Sequence, residues 1–263
     1  MSNLETHQLV FETSRIKQFF IEGWILFRIQ LSIIRESWAL IFILASVFPF
    51  TTLMFLKFFT ENPSDELIMR MITGNMLFAL IIMGMNVMAQ DISSQKHQGH
   101  FTFYASLPIA KLNFVLANLF RGMLMSFPSF IILGVIGQVV YEVQFKLSFG
   151  IIPVAFLTIM SVVGIGVFLG FWSPNLQLTN LLVQALMMFV SFLTPIMVDM
   201  NQLPVILKWV SYMFPTTYAA TALRELLIVG WTWTVTVNTL VLLCFTIVSY
   251  ILIVKKINWR MET

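Results

Sequence analysis

Long stretches without a charged side chain constrain this chain more than any other feature. Leu147 to Val198 contains no Asp, Glu, Lys or Arg over 52 residues. Ser37 to Leu56, Met71 to Gln90 and Gly122 to Tyr141 are each charge-free for 20 residues. Leu226 to Val254 continues the pattern. About 20 apolar residues cross a bilayer core as a helix. In lipid the backbone must satisfy its own hydrogen bonds, which selects helices for such runs. The longest run exceeds one crossing, and Trp172-Ser173-Pro174-Asn175 is its natural break, because proline and asparagine end helices and favour turns. The expectation is an all-α polytopic membrane protein, one transmembrane domain over 1–263. Its six spans are expected near 37–57, 71–90, 114–141, 147–172, 176–198 and 232–254.

Composition agrees. Only 10% of the residues are charged and 59% are hydrophobic, with a mean hydropathy of +0.89. A soluble domain carries about a quarter charged residues. The net charge of +3 is small and the basic residues form no stripe, which argues against a nucleic-acid partner. The single cysteine, Cys244, excludes an internal disulfide. The first long apolar run begins only at Ser37, after a mixed-charge leader, so no cleavable signal pattern is read.

Residues 12–36 are amphipathic. Ile16, Phe20, Trp24, Phe27, Leu31 and Ile34 recur at steps of three or four, while Arg15, Gln18, Glu22, Arg28 and Arg35 fall largely opposite. This suits a helix lying in the membrane interface, with Arg15 and Arg28 among headgroups and Phe20 and Trp24 in the acyl boundary. The alternative is a lead-in that continues into the first span.

Six spans put both termini on one side. With the N-terminus inside, inner segments hold ten Lys and Arg and outer segments hold five, as the positive-inside rule asks. That topology makes both ends cytoplasmic, in the plasma membrane of a bacterial cell, and places the polar stretch 91–112 in the cytosol. The outer stretch 199–231 is too polar, and too broken by Pro204 and Pro215, to span. It reads either as an amphipathic surface loop or as short helices that re-enter the outer leaflet.

Chemistry is hard to place on this chain. It has no HExxH, no G-x-S-x-G, no cysteine pair and no Walker motif. His97 and His100 lack a third ligand for a metal. No acidic residue stands at mid-membrane, which weakens an ion-coupled transporter. Asp91 and Glu142 read as span-boundary residues. Gly166 and Gly170 have the spacing of close helix packing rather than of a phosphate loop. Pro49 and Pro128 can kink their spans.

Two motif groups carry a resemblance. One is Leu203-Pro204, then Phe214-Pro215-Thr216-Thr217-Tyr218, then Arg224-Glu225; the other is Gly99 through Pro108. With the order of parts, they resemble the permease subunits of type-2 ABC exporters, over essentially the whole chain. This chain departs at His100, where threonine is usual, at Thr102, where glutamate is usual, and at Lys96, where an acidic residue often sits.

The resemblance implies a second permease chain, as a homodimer or heterodimer, and two copies of a separate ATPase subunit. ATP and magnesium would bind in that partner, with no cofactor and no metal in this chain. The coupling surface would be Gln98, Gly99, Phe101, Phe103, Tyr104 and Pro108, and alanine at Phe101, Phe103 and Tyr104 together would uncouple hydrolysis from transport. Pro204, Pro215, Tyr218 and Arg224 would shape outer re-entrant helices, with Arg224 held by Glu225 or a backbone carbonyl. The cargo would be amphiphilic or hydrophobic, a drug, antibiotic or antimicrobial peptide. The alternatives are a lipid or polysaccharide exporter, and a membrane-embedded scaffold without transport.

Overall fold

The computed structural model describes residues 17–32, 35, 39, 43, 47, 50–55, 57–58, 64–106, 109–146, 148–193, 196, 200 and 203–256. Arg15, Pro49, Pro108 and most of 37–57 lie outside the described residues. Among the described residues there are helices and connections but no strand.

Helix α1 covers 17–32. Helix α2, Asp65–His97, starts where the Ser64 hydroxyl accepts the Leu67 N–H at 3.3 Å, with Asp65 and Glu66 in the positive first turn. Its middle, Ile81–Val87, is wound as a π-helix. Gly99 at φ 75° stops it, a conformation glycine adopts without Cβ strain. The short α3, His100–Ser106, follows, and α4 is Lys111–Tyr141.

Helix α5, Ile151–Trp172, ends at Ser173, and the Asn175 side chain accepts the Leu178 N–H at 2.7 Å to start α6, Leu176–Leu193. The long apolar run therefore folds into two helices at the expected break. Beyond it lie α7, Val205–Ser211, and α8, Pro215–Ile228, each beginning just at or after a proline, and then α9, Trp233–Lys256.

Four helices are long and apolar enough to cross a membrane among the described residues: α2, α4, α5 and α9. Helix α6 is apolar but shorter by the same measure. Helix α2 is the centre, packed on α4, α5, α6 and α8. Its apolar window is 83% buried, against 11% for α9, which packs on α5 and α8 from outside. On α4, Phe127, Ile131, Val135 and Val139 form an exposed apolar ridge at four-residue spacing, the surface a bilayer would cover.

The seam between α2, α4 and α5 is built on glycine. A Cβ on Gly166 would lie 2.5 Å from the Gly84 carbonyl oxygen and 2.6 Å from that of Met85, both in the π-helical stretch. One on Gly170 would lie 2.8 Å from the Ala89 carbonyl oxygen. One on Gly122 would meet Val163 at 2.5 Å. Close packing is thus what the Gly166/Gly170 spacing serves.

Candidate functional site

The polar stretch after the second span is mostly helix. The last turns of α2 run through Asp91 to His97, and α3 turns back across the ends of α4 and α5. Alternation along α3 decides what it shows. Phe101 and Tyr104, three residues apart and so on one face, are 6% and 7% exposed. Phe101 stacks on Phe114 of α4 at 5.5 Å and on Phe171 of α5 at 5.4 Å between ring centres, and Tyr104 meets Phe114 at 4.9 Å. These spacings suit attractive aromatic pairs. Phe103, on the opposite face, is 63% exposed beside His100 and Thr102, with His97 and Gln98 exposed just before them. Of the coupling residues expected from sequence, Phe101 and Tyr104 therefore anchor α3, while Phe103 and Gln98 are open.

Four further ties brace this end. Asp91 on α2 is ion-paired with Arg121 on α4 and accepts a hydrogen bond from Gln95 at 2.8 Å. The Arg121 side chain is 1% exposed and that of Asp91 35%. Asp91 is thus more than a boundary residue. Lys96 donates to main-chain carbonyls at the end of α5. The Thr179 hydroxyl of α6 and Ser93 of α2 are 2.8 Å apart in a buried hydrogen bond. On the other flank, Asn113 of α4 donates to the Phe19 carbonyl at 2.9 Å, and Glu22 of α1 accepts from Asn113 and from the Ala110 N–H, each at 3.4 Å. Phe20 and Trp24 remain exposed on α1, as an interfacial helix requires, and Arg28 is exposed beside them.

Burial holds the Tyr104 hydroxyl above its ordinary pKa, with the Arg121 charge opposing and Asp91 reinforcing. Nothing in this cluster forms a nucleophile with a base. No group of three metal-ligating side chains occurs among the described residues. What the arrangement can do is carry force between helices.

At the opposite end Pro204 and Pro215 start α7 and α8, and the Tyr218 hydroxyl donates to the Tyr212 carbonyl at 3.0 Å, tying α8 to the end of α7. Thr217 donates to the Ser211 carbonyl across the same corner. Arg224 lines a cavity of about 780 Å³ with Glu66, Glu142, Lys146 and Glu225.

Sequence reasoning passed over Asp91, Arg121, Asn113, Phe114 and Phe171 as site residues. One signal was present. Arg121 is the sole charge between Leu112 and Tyr141, ten residues into an apolar helix. Intramembrane charges of that kind pair inward.

These features define an integral membrane protein of packed helices whose loop end is a mechanical junction. The family model for the ABC-2 type transporter matches residues 22–228. The chain belongs to that family. It is a membrane transport component, not itself a catalyst, and membership implies association with an ABC ATPase and a lipid bilayer. Among curated proteins no sequence matches it.

Proposed function

We propose that this chain is the permease subunit of an ATP-driven exporter, forming the path for an amphiphilic or hydrophobic cargo such as a drug, antibiotic or antimicrobial peptide. Two permease chains, alike or different, work with two ATPase subunits that carry the ATP and magnesium. The chain crosses six times with both termini cytoplasmic, in the plasma membrane of a bacterial cell, and α7 and α8 re-enter from the outer side. The 97–106 segment then receives force from the ATPase, and α1 rides in the inner interface.

One observation carries the reading. Helix α3 presents an exposed aromatic, Phe103, on a plate of buried aromatics that reaches both α4 and α5. An exposed knob on a rigid support is how a partner's push is passed on without being absorbed. The absence of a Walker motif places the energy source in another chain.

Co-expression with the candidate ATPase tests it. The two should co-purify, and the complex in vesicles should export amphiphiles with ATP. Phe103→Ala should keep the chain inserted yet lower ATP-driven export at least ~10-fold. Undiminished export by a well-inserted F103A would sink the coupling assignment. Stimulation of hydrolysis by lipids or polysaccharides alone would replace the cargo class.

A further inference from the structure

We infer that the Asp91–Arg121 ion pair is the positioning contact through which displacement of the 97–106 segment is passed into α4. The inference rests on the permease reading above and concerns how force leaves α3 once it has arrived.

The pair is lopsided. Arg121 is enclosed, on a helix that is locked to its neighbours one residue later, where Gly122 presses on Val163 and Met88. Asp91 is a third exposed and sits two turns before the Gln98–Gly99 break, so it moves with the segment. Gln95, one turn on, donates to the same carboxylate and keeps it aimed. A carboxylate at this border can be rehydrated if the end of α2 shifts. Arg121 cannot, and a buried cation stripped of its counter-charge is strongly unfavourable. Displacement of α2 therefore drags α4 with it.

A second contact runs parallel. Phe114 lies seven residues before Arg121, on the same face of α4, and supports Tyr104 of α3. Tyr104 also feels both charges of the pair. The aromatic contact resists compression, while the ion pair resists separation. Pulling, as opposed to pushing, is what only the ion pair can transmit.

The test compares wild type, Asp91→Asn, Arg121→Gln and the exchanged pair D91R/R121D. Backbone hydrogen exchange of 97–106 is measured on the inserted chain alone, and cargo moved per ATP is measured on the reconstituted complex. D91N is expected to raise exchange in 97–106 by ~10-fold while distant helices stay protected. It should also cut cargo per ATP by ~10-fold while ATP hydrolysis continues. The exchanged pair should recover most of both.

Unchanged exchange and unchanged cargo per ATP in a monodisperse D91N would overturn the inference, as would an exchanged pair no better than the single variants. Should R121Q fail to insert, D91N alone decides, since its side chain is already partly hydrated. Absence of ATP-driven transport by wild type would instead sink the permease reading, and the exchange measurement would still judge the positioning role.

Discussion

The ammonium of Lys96 lies 2.9 Å from the main-chain carbonyl of Ser173 and 3.3 Å from that of Phe171. One side chain of α2 thus closes the negative end of α5, where carbonyls have no partner within their own helix. The residue stands where the resemblance leads one to expect an acid, and an acid there would face those carbonyls with the wrong sign.

Lys96→Met should therefore loosen α5 from α2, costing about 1–2 kcal/mol for a charged hydrogen bond that is partly hydrated. Lys96→Glu should cost more than Lys96→Met. Reversible unfolding in mixed micelles checks the order, and equal stability of the two would show that the carbonyls are satisfied without Lys96.

The glycines give a graded series. Gly166→Ala places a methyl against the backbone of α2 and should destabilise by about 1–3 kcal/mol, as overpacking does. Gly23→Ala meets Asn113 only at 3.5 Å and should be near neutral. Gly99→Ala meets nothing but keeps the left-handed backbone, and should cost about 1–2 kcal/mol. Folded yield by size-exclusion chromatography ranks them.

Phe101→Ala and Phe103→Ala should separate stability from coupling. Loss of the buried Phe101 ring removes contacts with Tyr104, Phe114 and Phe171 and should cost about 3–5 kcal/mol. Loss of Phe103 should leave the melting temperature within a degree or two, since exposed substitutions rarely exceed about 0.5 kcal/mol. A lower melting temperature for F103A than for F101A would reverse the assignment of faces. Alanine at all three aromatics mixes the two effects.

Tyr104 gives an alkaline signature. Its pKa is raised by burial, so the folded state favours the neutral phenol. A group with a raised folded pKa contributes stability that is present below its unfolded value near 10 and is lost as pH rises through the folded one. Tyr104→Phe should abolish that share of the alkaline loss in unfolding curves recorded from pH 9 upward. An identical alkaline slope in wild type and variant would mean that the hydroxyl is already hydrated.

Much of the bundle was legible because charge-free length is a one-dimensional property. The break at Ser173 to Asn175, the prolines opening α7 and α8 and the packing glycines all act locally, so residue type was enough. The site was legible only in outline. Asp91 and Arg121 are 30 residues apart, and no periodicity links them. Likewise Lys96 bonds to carbonyls, which carry no mark in a sequence. Phe101 and Phe103 look alike on paper, and only the rotation of α3 against Phe114 distinguishes the anchor from the knob. The π-helical winding of Ile81–Val87 left no trace in residue type at all.

That winding has a consequence for insertions and deletions. A π-turn holds one residue more than an α-turn, so it advances whatever follows by about 100° around the helix axis. Asp91 meets Arg121 from the far side of this surplus residue. Deleting one residue between Ile81 and Val87 would change no charge and barely shorten the helix. It would nonetheless swing Asp91 more than a quarter-turn from its arginine and re-aim everything beyond it.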